Sequence, residues 1–349
     1  MVPSQDLVFT AETVRLIAEI DEFKGAWQAL GNLAPEKLLQ LKKVATIESI
    51  GSSTRIEGSK LSDREIERLL SGLQVHNFES RDEQEVAGYA ELMDTVFVSY
   101  GDIPFTENFI RQLHGILLKH SDKDHWHKGK YKQHPNHVVA TDAQGQQIGV
   151  VFETVSPLET PLRMQELVHW TQEAFAGGEL HPLVVIAVFI VCFLAIHPFQ
   201  DGNGRLSRAL TTYLLLKSGY HYVPYSSLEA VIEQEKKAYY LSLRQTQTTL
   251  KGLNPDWQPW LVFFLKTLKR QKDNLELKIS REHILLSDQP LLAQTILDLL
   301  KQRGRVNMGE LQLLTHQSRH TLRRHLSNLV QDQLIRQHGK GKGTWYTLF

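Results

Sequence analysis

A single cysteine in 349 residues, Cys192, excludes any disulfide framework. It lies inside an apolar run and reads as a buried, inert thiol, a usage that suits a reducing cytoplasm. Charge of one sign is not in excess either: 39 Lys and Arg stand against 39 Asp and Glu, a formal net charge of +0. No global field therefore draws the whole chain to nucleic acid or to an anionic membrane. The most hydrophobic stretch, Leu183–Ile196, has 14 residues. A bilayer-spanning helix takes about 20, so a buried core helix is the expectation. The first residues, MVPSQDLVFTAETV, lack a basic region ahead of an apolar block and make no secretory signal. A soluble, cytoplasmic protein with no membrane partner follows. The P-loop pattern GxxxxGK[ST] is missing, and the near-miss GKGKGT at 339–344 has the wrong spacing. Internal repeats and low-complexity tracts are missing too.

What remains is ordinary globular composition, 42% hydrophobic and 22% charged, in a chain long enough for two or three domains. Apolar positions at three- and four-residue spacing predict helices over 11–30, 35–50, 62–72, 83–100, 106–120, 159–176, 182–196, 205–218, 228–250 and 257–281. Ser62 and Thr106 precede acidic first turns and read as helix starts. Between 121 and 158 the pattern breaks, and two β-branched runs around DAQG predict a small hairpin at about 138–152. A boundary is expected at 282–290. Beyond it, a helix, a second short helix, a turn, a third helix and two strands around GKGKG form the pattern of a winged helix. The chain is thus mainly α, with an N-terminal helical region over 1–100, a helical core over 101–281 and a winged helix-turn-helix domain over 286–349.

Residues 197–208, HPFQDGNGRLSR, concentrate the chemistry. Gly202-Asn203-Gly204 has the conformational freedom to aim successive N–H groups at one anion. A helix starting at Arg205 or Leu206 adds its positive N-terminal end. Arg205 and Arg208, three apart, project from adjacent sides of its first turn as planar donors for polyphosphate. Asp201 is repelled by phosphate unless a cation lies between, which points to Mg2+. His197, held by Pro198 at the end of the buried helix, has the intrinsic pKa of a general base. A lone histidine or a lone Gly-Asn-Gly turn is commonplace; the ordered combination is not.

HPFQDGNGRLSR matches the signature HPFx[DE]GNGRxxR of the Fic (Fido) family at every fixed position, and the resemblance extends over about residues 1–280. It implies a helical bundle with a hairpin flap, and transfer of AMP from ATP to a Ser, Thr or Tyr hydroxyl of a target protein or of the chain itself. On that resemblance His197 is the base and Asp201 holds the Mg2+ bridging the α- and β-phosphates. Gly202, Asn203 and Gly204 cradle phosphate, and Arg205 with Arg208 binds the β- and γ-phosphates.

Upstream, Ser53-Thr54-Arg55-Ile56-Glu57-Gly58 resembles the family's inhibitory motif [ST]xxxE[GN]. It implies that Ser53, Glu57 and Gly58 form a brake in which Glu57 pairs with Arg208. Tyr239 and Tyr240, in KKAYYLSL, resemble a helix that lines the nucleotide pocket. The flap region departs from the usual pattern, with lysine in Gly129-Lys130-Tyr131-Lys132 where arginine is often found and FETVSP at 152–157. Ile148, Gly149 and Val150 are the expected target-docking edge, by strand addition. His125, His127, His134 and His137 lack the company of a metal centre and read as a polar loop. Residues 286–349 hold nine Lys or Arg against four Asp or Glu. Arg319, Arg323 and Arg324 on the second helix of the helix-turn-helix are candidate DNA contacts. The alternative functions are a DNA-binding regulator whose Fic domain senses nucleotide, and an AMP-removing enzyme in which Glu57 positions water. A homodimer is the expected assembly.

Overall fold

The computed structural model describes residues 7–29, 35–71, 78, 80–141, 147–252, 254–287, 291–332, 334–339 and 341–348. The chain divides into two compact units, Met1–Asn274 and Leu275–Phe349. In the first unit, α1 (Ala11–Ala29), α2 (Pro35–Ile56), α3 (Asp63–Ser71), α4 (Arg81–Ser99) and α5 (Glu107–Leu117) precede a two-stranded antiparallel hairpin, β1 (Val138–Thr141) and β2 (Gln147–Phe152). Then come α6 (Thr160–Gly177), α7 (Pro182–Ile196), α8 (Asn203–Lys217), α9 (Leu228–Gln234), α10 (Lys236–Gln247) and the first part of α11 (Gln258–Ser287).

The apolar run is the central helix, α7, and every residue from Leu183 to Ile196 is buried. A helix hydrophobic on all sides needs neighbours on all sides, and α6, α8 and α10 pack against it. Its start combines Pro182 at the first turn with His181, whose Nδ1 accepts from Leu183 N at 3.3 Å and whose Nε2 donates to Asp21 at 2.9 Å. Its end is His197 itself, in the left-handed conformation at φ 53° and ψ 60°.

α4 and α5 cross with backbone close to backbone. A Cβ at Gly88 would lie 2.1 Å from the carbonyl oxygen of Leu117. Gly88→Ala is therefore expected to force α4 and α5 apart and cost about 1–3 kcal/mol, read as a lowered thermal midpoint. Because α4 also carries Arg81 and Glu85, the same substitution disturbs the site described below.

Three predicted boundaries differ from what folds. The segment 228–250 forms two helices, broken at Glu235 (φ −106°, ψ 26°), whose carboxylate pairs with Arg270. No Gly or Pro marks that break. α2 continues to Ile56, past the predicted end at 50. α11 runs on to Ser287, through most of the expected boundary, and the compact units meet inside it. A helical pattern without a breaker before Pro290 hides a division of this kind.

The second unit contains the rest of α11, α12 (Leu291–Arg303), β3 (Val306–Asn307), α13 (Met308–Thr315), α14 (Arg319–Gln331), β4 (Ile335–His338) and β5 (Trp345–Leu348). Its sheet order is β3-β5-β4, so the two expected strands gain a third. The reason is Val306, fully buried in a core with Ile296, Leu311, Leu322, Leu326 and Ile335.

Candidate active site

The loop 197–202 joins α7 to α8 at the floor of a cavity of about 530 Å³. His197, Asp201 and Gly202 line it from the loop, Asn203, Gly204 and Arg205 from the first turn of α8, Glu57 from just past the end of α2, Arg81 and Glu85 from α4, and Tyr239 and Tyr240 from α10. The loop is braced from within. Asn203 Nδ2 donates to Phe199 O at 2.7 Å, and Phe199 N donates to Asn203 Oδ1 at 2.9 Å.

The Gly-Asn-Gly triplet is not a three-residue nest. Only Gly202 has positive φ, 81°, and it is the N-cap of α8; Asn203 and Gly204 are already helical, ahead of the predicted start at Arg205 or Leu206. Asn203 spends its side chain on Phe199, which leaves the first amides of α8 as the anion-facing donors.

A carbonyl of the last turn of α7 keeps His197 in one tautomer. Its Nδ1 donates to Leu194 O at 3.3 Å, which leaves the lone pair on Nε2. Burial, reinforced by the charge of Lys132, lowers its pKa to about 4, so the ring is neutral near pH 7. Behind the loop His114 is fully buried and stacks on Phe199 with centroids 3.9 Å apart. Its Nε2 donates to Asp201 O at 3.0 Å and its Nδ1 accepts from Gly129 N at 2.9 Å. Burial lowers His114 to about 4 as well.

These two rings are neutral when folded and take up protons on unfolding below 6.5, so the unfolded chain binds more protons between 6.5 and 4. Stability is therefore expected to fall as pH drops through that window and to lose no more from these groups below about 4. His114 contributes on the order of 3 kcal/mol at most. Urea midpoints measured against pH check this, and His114→Gln should reduce the slope by about half.

The two arginines take different partners, and both are buried. Arg205 Nη1 pairs with Glu85 at 3.0 Å and Nη2 with Asp201 at 3.3 Å. Arg81 reaches the same Asp201 oxygen, Oδ2, at 3.3 Å. Asp201 Oδ1 has no partner among the described residues and its side chain is 38% exposed. Arg208 Nε donates to Ser53 Oγ at 2.8 Å, and its Nη2 donates to Ser53 O at 2.9 Å and to Glu57 Oε1 at 2.8 Å. Burial opposes the charge on Arg208, but Glu57, Tyr239 and Tyr89 outweigh it and raise its pKa. Glu57 also lies across the start of α8: a Cβ at Gly204 would fall 2.1 Å from Glu57 Oε1. Gly58 follows at φ 110°, where the chain turns out of α2. One helical turn before Gly58, Arg55 is held in two directions, by Glu233 at 2.7 and 3.1 Å and by Asp63 at 2.9 Å.

Tyr239 both lines the cavity and belongs to an aromatic cluster with Trp260 and Phe263, each centroid 5.9 Å away. Tyr240 is 41% exposed beside it. Ile148, Gly149 and Val150 fall in β2, with Gly149 opposite Ala140 and Val150 opposite Val139; their side chains lie outside the described residues. Among the described residues no group of His, Cys, Asp or Glu forms a metal cluster, the 125–137 histidines included. Arg319, Arg323 and Arg324 are exposed on α14, in the second unit.

Residues 104–215 match the Fic/DOC family. The Protein adenylyltransferase Fic of Drosophila virilis is 26% identical over 310 residues, covering 84% of this chain and 58% of that one. The protein of the same name in Drosophila grimshawi is 28% identical over 241 residues, covering 68% and 45%. The chain thus spans about half the length of the curated relatives it matches. A Fic domain containing signaling protein from Bacteroides thetaiotaomicron has 27% identity and a TM-score of 0.59, over 73% of this chain and 94% of that one. A Fic family protein from Desulfovibrio desulfuricans shares the fold, with 22% identity and a TM-score of 0.63 over 99% and 98%.

The Fic/DOC segment contains the whole loop 197–208 and His114, but Glu57, Glu85, Tyr239 and Tyr240 come from outside it. Among the described residues no helix is long and apolar enough to cross a membrane. Sequence reasoning missed Arg81, Glu85 and His114 because each reaches the segment 197–208 across long separations, 120 residues for Arg81 and 87 for His114. It also missed Gln247, a nearly buried amide on the cavity wall. None of the four belongs to a local motif.

Proposed function

We propose that this protein is a nucleotidyltransferase that moves AMP from ATP to a Ser, Thr or Tyr hydroxyl of a protein, and that Glu57 holds it in check. One observation carries the reading: the cavity brings a neutral His197, a half-free Asp201 and the first turn of α8 onto one floor. The hydroxyl oxygen forms a bond to the α-phosphorus, the bond from that phosphorus to the β-phosphate oxygen breaks, and pyrophosphate leaves. His197 Nε2 receives the hydroxyl proton. Arg205 and the α8 amides orient the anion.

Asp201 fits Mg2+. One carboxylate oxygen is free toward a site that phosphates would share, the arrangement in which this ion keeps most of its waters. Bound there, the ion would neutralise phosphate charge. Arg208 is the γ-phosphate ligand on this reading, and Glu57 competes for it through the bond to Nη2. Mass spectrometry of Glu57→Gly incubated with ATP and lysate tests the function. An AMP adduct on a hydroxyl side chain is the expected product, and a phosphate adduct overturns it.

A second reading concerns the unit 275–349. Arg319, Arg323 and Arg324 are exposed along the first half of α14 and make no ion pair among the described residues, which favours a nucleic-acid backbone as partner. Electrophoretic shift of duplex DNA by the full chain, lost in the triple alanine variant and kept in His197→Ala, is the expected result.

A further inference from the structure

Four successive carbonyls at the end of α7 are all taken by donors from one short segment before the hairpin. Ile196 O accepts from Lys132 Nζ at 2.9 Å, and Pro198 O accepts from Lys132 N at 2.8 Å. His197 O and Phe199 O accept from Asn136 Nδ2 at 3.2 and 2.6 Å. The Lys132 ammonium completes its three donors on Asn136 Oδ1 at 2.8 Å and Thr154 Oγ1 at 3.0 Å, and Thr154 in turn donates to Asn136 Oδ1 at 3.0 Å. Thr154 lies two residues beyond the last residue of β2. We propose that Lys132 and Asn136 are positioning residues that hold His197 in its left-handed conformation and fasten the reaction loop to the exit of the hairpin.

The physical need is plain. A helix ends with carbonyls that lack partners, and a residue with a Cβ in the left-handed region is strained by about 1–2 kcal/mol. Without outside donors the loop would relax, and the direction of Nε2 with it. Lys132 is itself buried, at 3% exposure, and all three of its side-chain partners are neutral. An ammonium kept there at the cost of its solvation, pulled down to about 8 by burial, serves the groups it touches. It also bears on the charge of His197. Glu57 from the end of α2 and Asp201 from the same loop favour a protonated ring, and Lys132 opposes both.

The inference rests on the proposed AMP transfer for its kinetic readout alone. In Glu57→Gly protein, Lys132→Met and Asn136→Ala are each expected to lower kcat about 100-fold while KM for ATP stays within about twofold. Unchanged kcat, or a risen KM with kcat intact, overturns the positioning role. Backbone amide exchange of residues 197–203, read by mass spectrometry, is independent of the reaction. It should accelerate in both variants with the thermal midpoint nearly unmoved, and unaltered protection overturns the role. If Glu57→Gly transfers no AMP, the functional reading fails and the exchange result still decides this one. Should Lys132→Met fail to fold, Asn136→Ala, altered at a half-buried side chain, carries both measurements.

Discussion

Glu57→Gly is expected to raise incorporation of α-labelled ATP into protein by about 100-fold over the unsubstituted chain, equivalent to about 3 kcal/mol of blocked transition state. The reasoning starts from Arg208, which has three acceptors: Ser53 Oγ, Ser53 O and Glu57 Oε1. Removing the carboxylate leaves the first two in place, so the guanidinium keeps its orientation and presents its freed Nη2 to phosphate. It also clears the start of α8, since Glu57 is what a Cβ at Gly204 would strike. α2 ends at Ile56, so glycine at 57 breaks no helical turn. The substitution does remove a partner from a buried charge, and a modest fall in thermal midpoint is expected, reversed by ATP, which binds only the folded chain. Labelling at the unsubstituted level, self-labelling included, would sink the proposed brake.

His197→Ala in the same Glu57→Gly background is expected to lower labelling by about 10²–10⁴-fold, the range that base removal of a proton contributes. ATP binding measured by calorimetry should change less than about twofold, because the phosphate donors belong to α8 and not to the ring. The loop should survive the change, since its carbonyls are taken by Lys132 and Asn136 whatever residue stands at 197. Burial and Lys132 hold this base far below its ordinary value, and removing Glu57, which favours its protonation, lowers it further, so labelling by Glu57→Gly should persist to acidic pH. Retained labelling in His197→Ala would remove the histidine from the chemistry.

The central helix and the reaction loop were legible because their signals are local. Fourteen apolar residues in a row can only be buried, and HPFQDGNGRLSR carries its residues within one turn of chain. The pairing of Glu57 with Arg208 was legible through a short pattern combined with the presence of a partner arginine. The rest depends on which helix crosses which. Glu85 meets Arg205 because α4 lies against α8, and no property of DEQEVAG announces that. Gly202-Asn203-Gly204 misled in the opposite way. Its composition permits a nest, but the Asn203 amide braces Phe199 and the helix begins early. The division at 274/275 escaped notice because the helical period of α11 runs straight through it.

Under the proposed brake, the grip on Arg55 bears on the time course of release. Glu233 holds it through two hydrogen bonds and Asp63 through a third, so the last turn of α2 is pinned to α9 and to the start of α3. Glu57, just past that turn, has a side chain that is 32% exposed. Detaching the helix means breaking the Arg55 pairs and uncovering Ile56, a motion of microseconds to milliseconds, whereas turning one glutamate about its own bonds takes picoseconds to nanoseconds. The faster route makes the restraint a rapidly re-established equilibrium. On this account the chain idles at a low, steady rate without lag, and how often it fires is set by how often one carboxylate lets go.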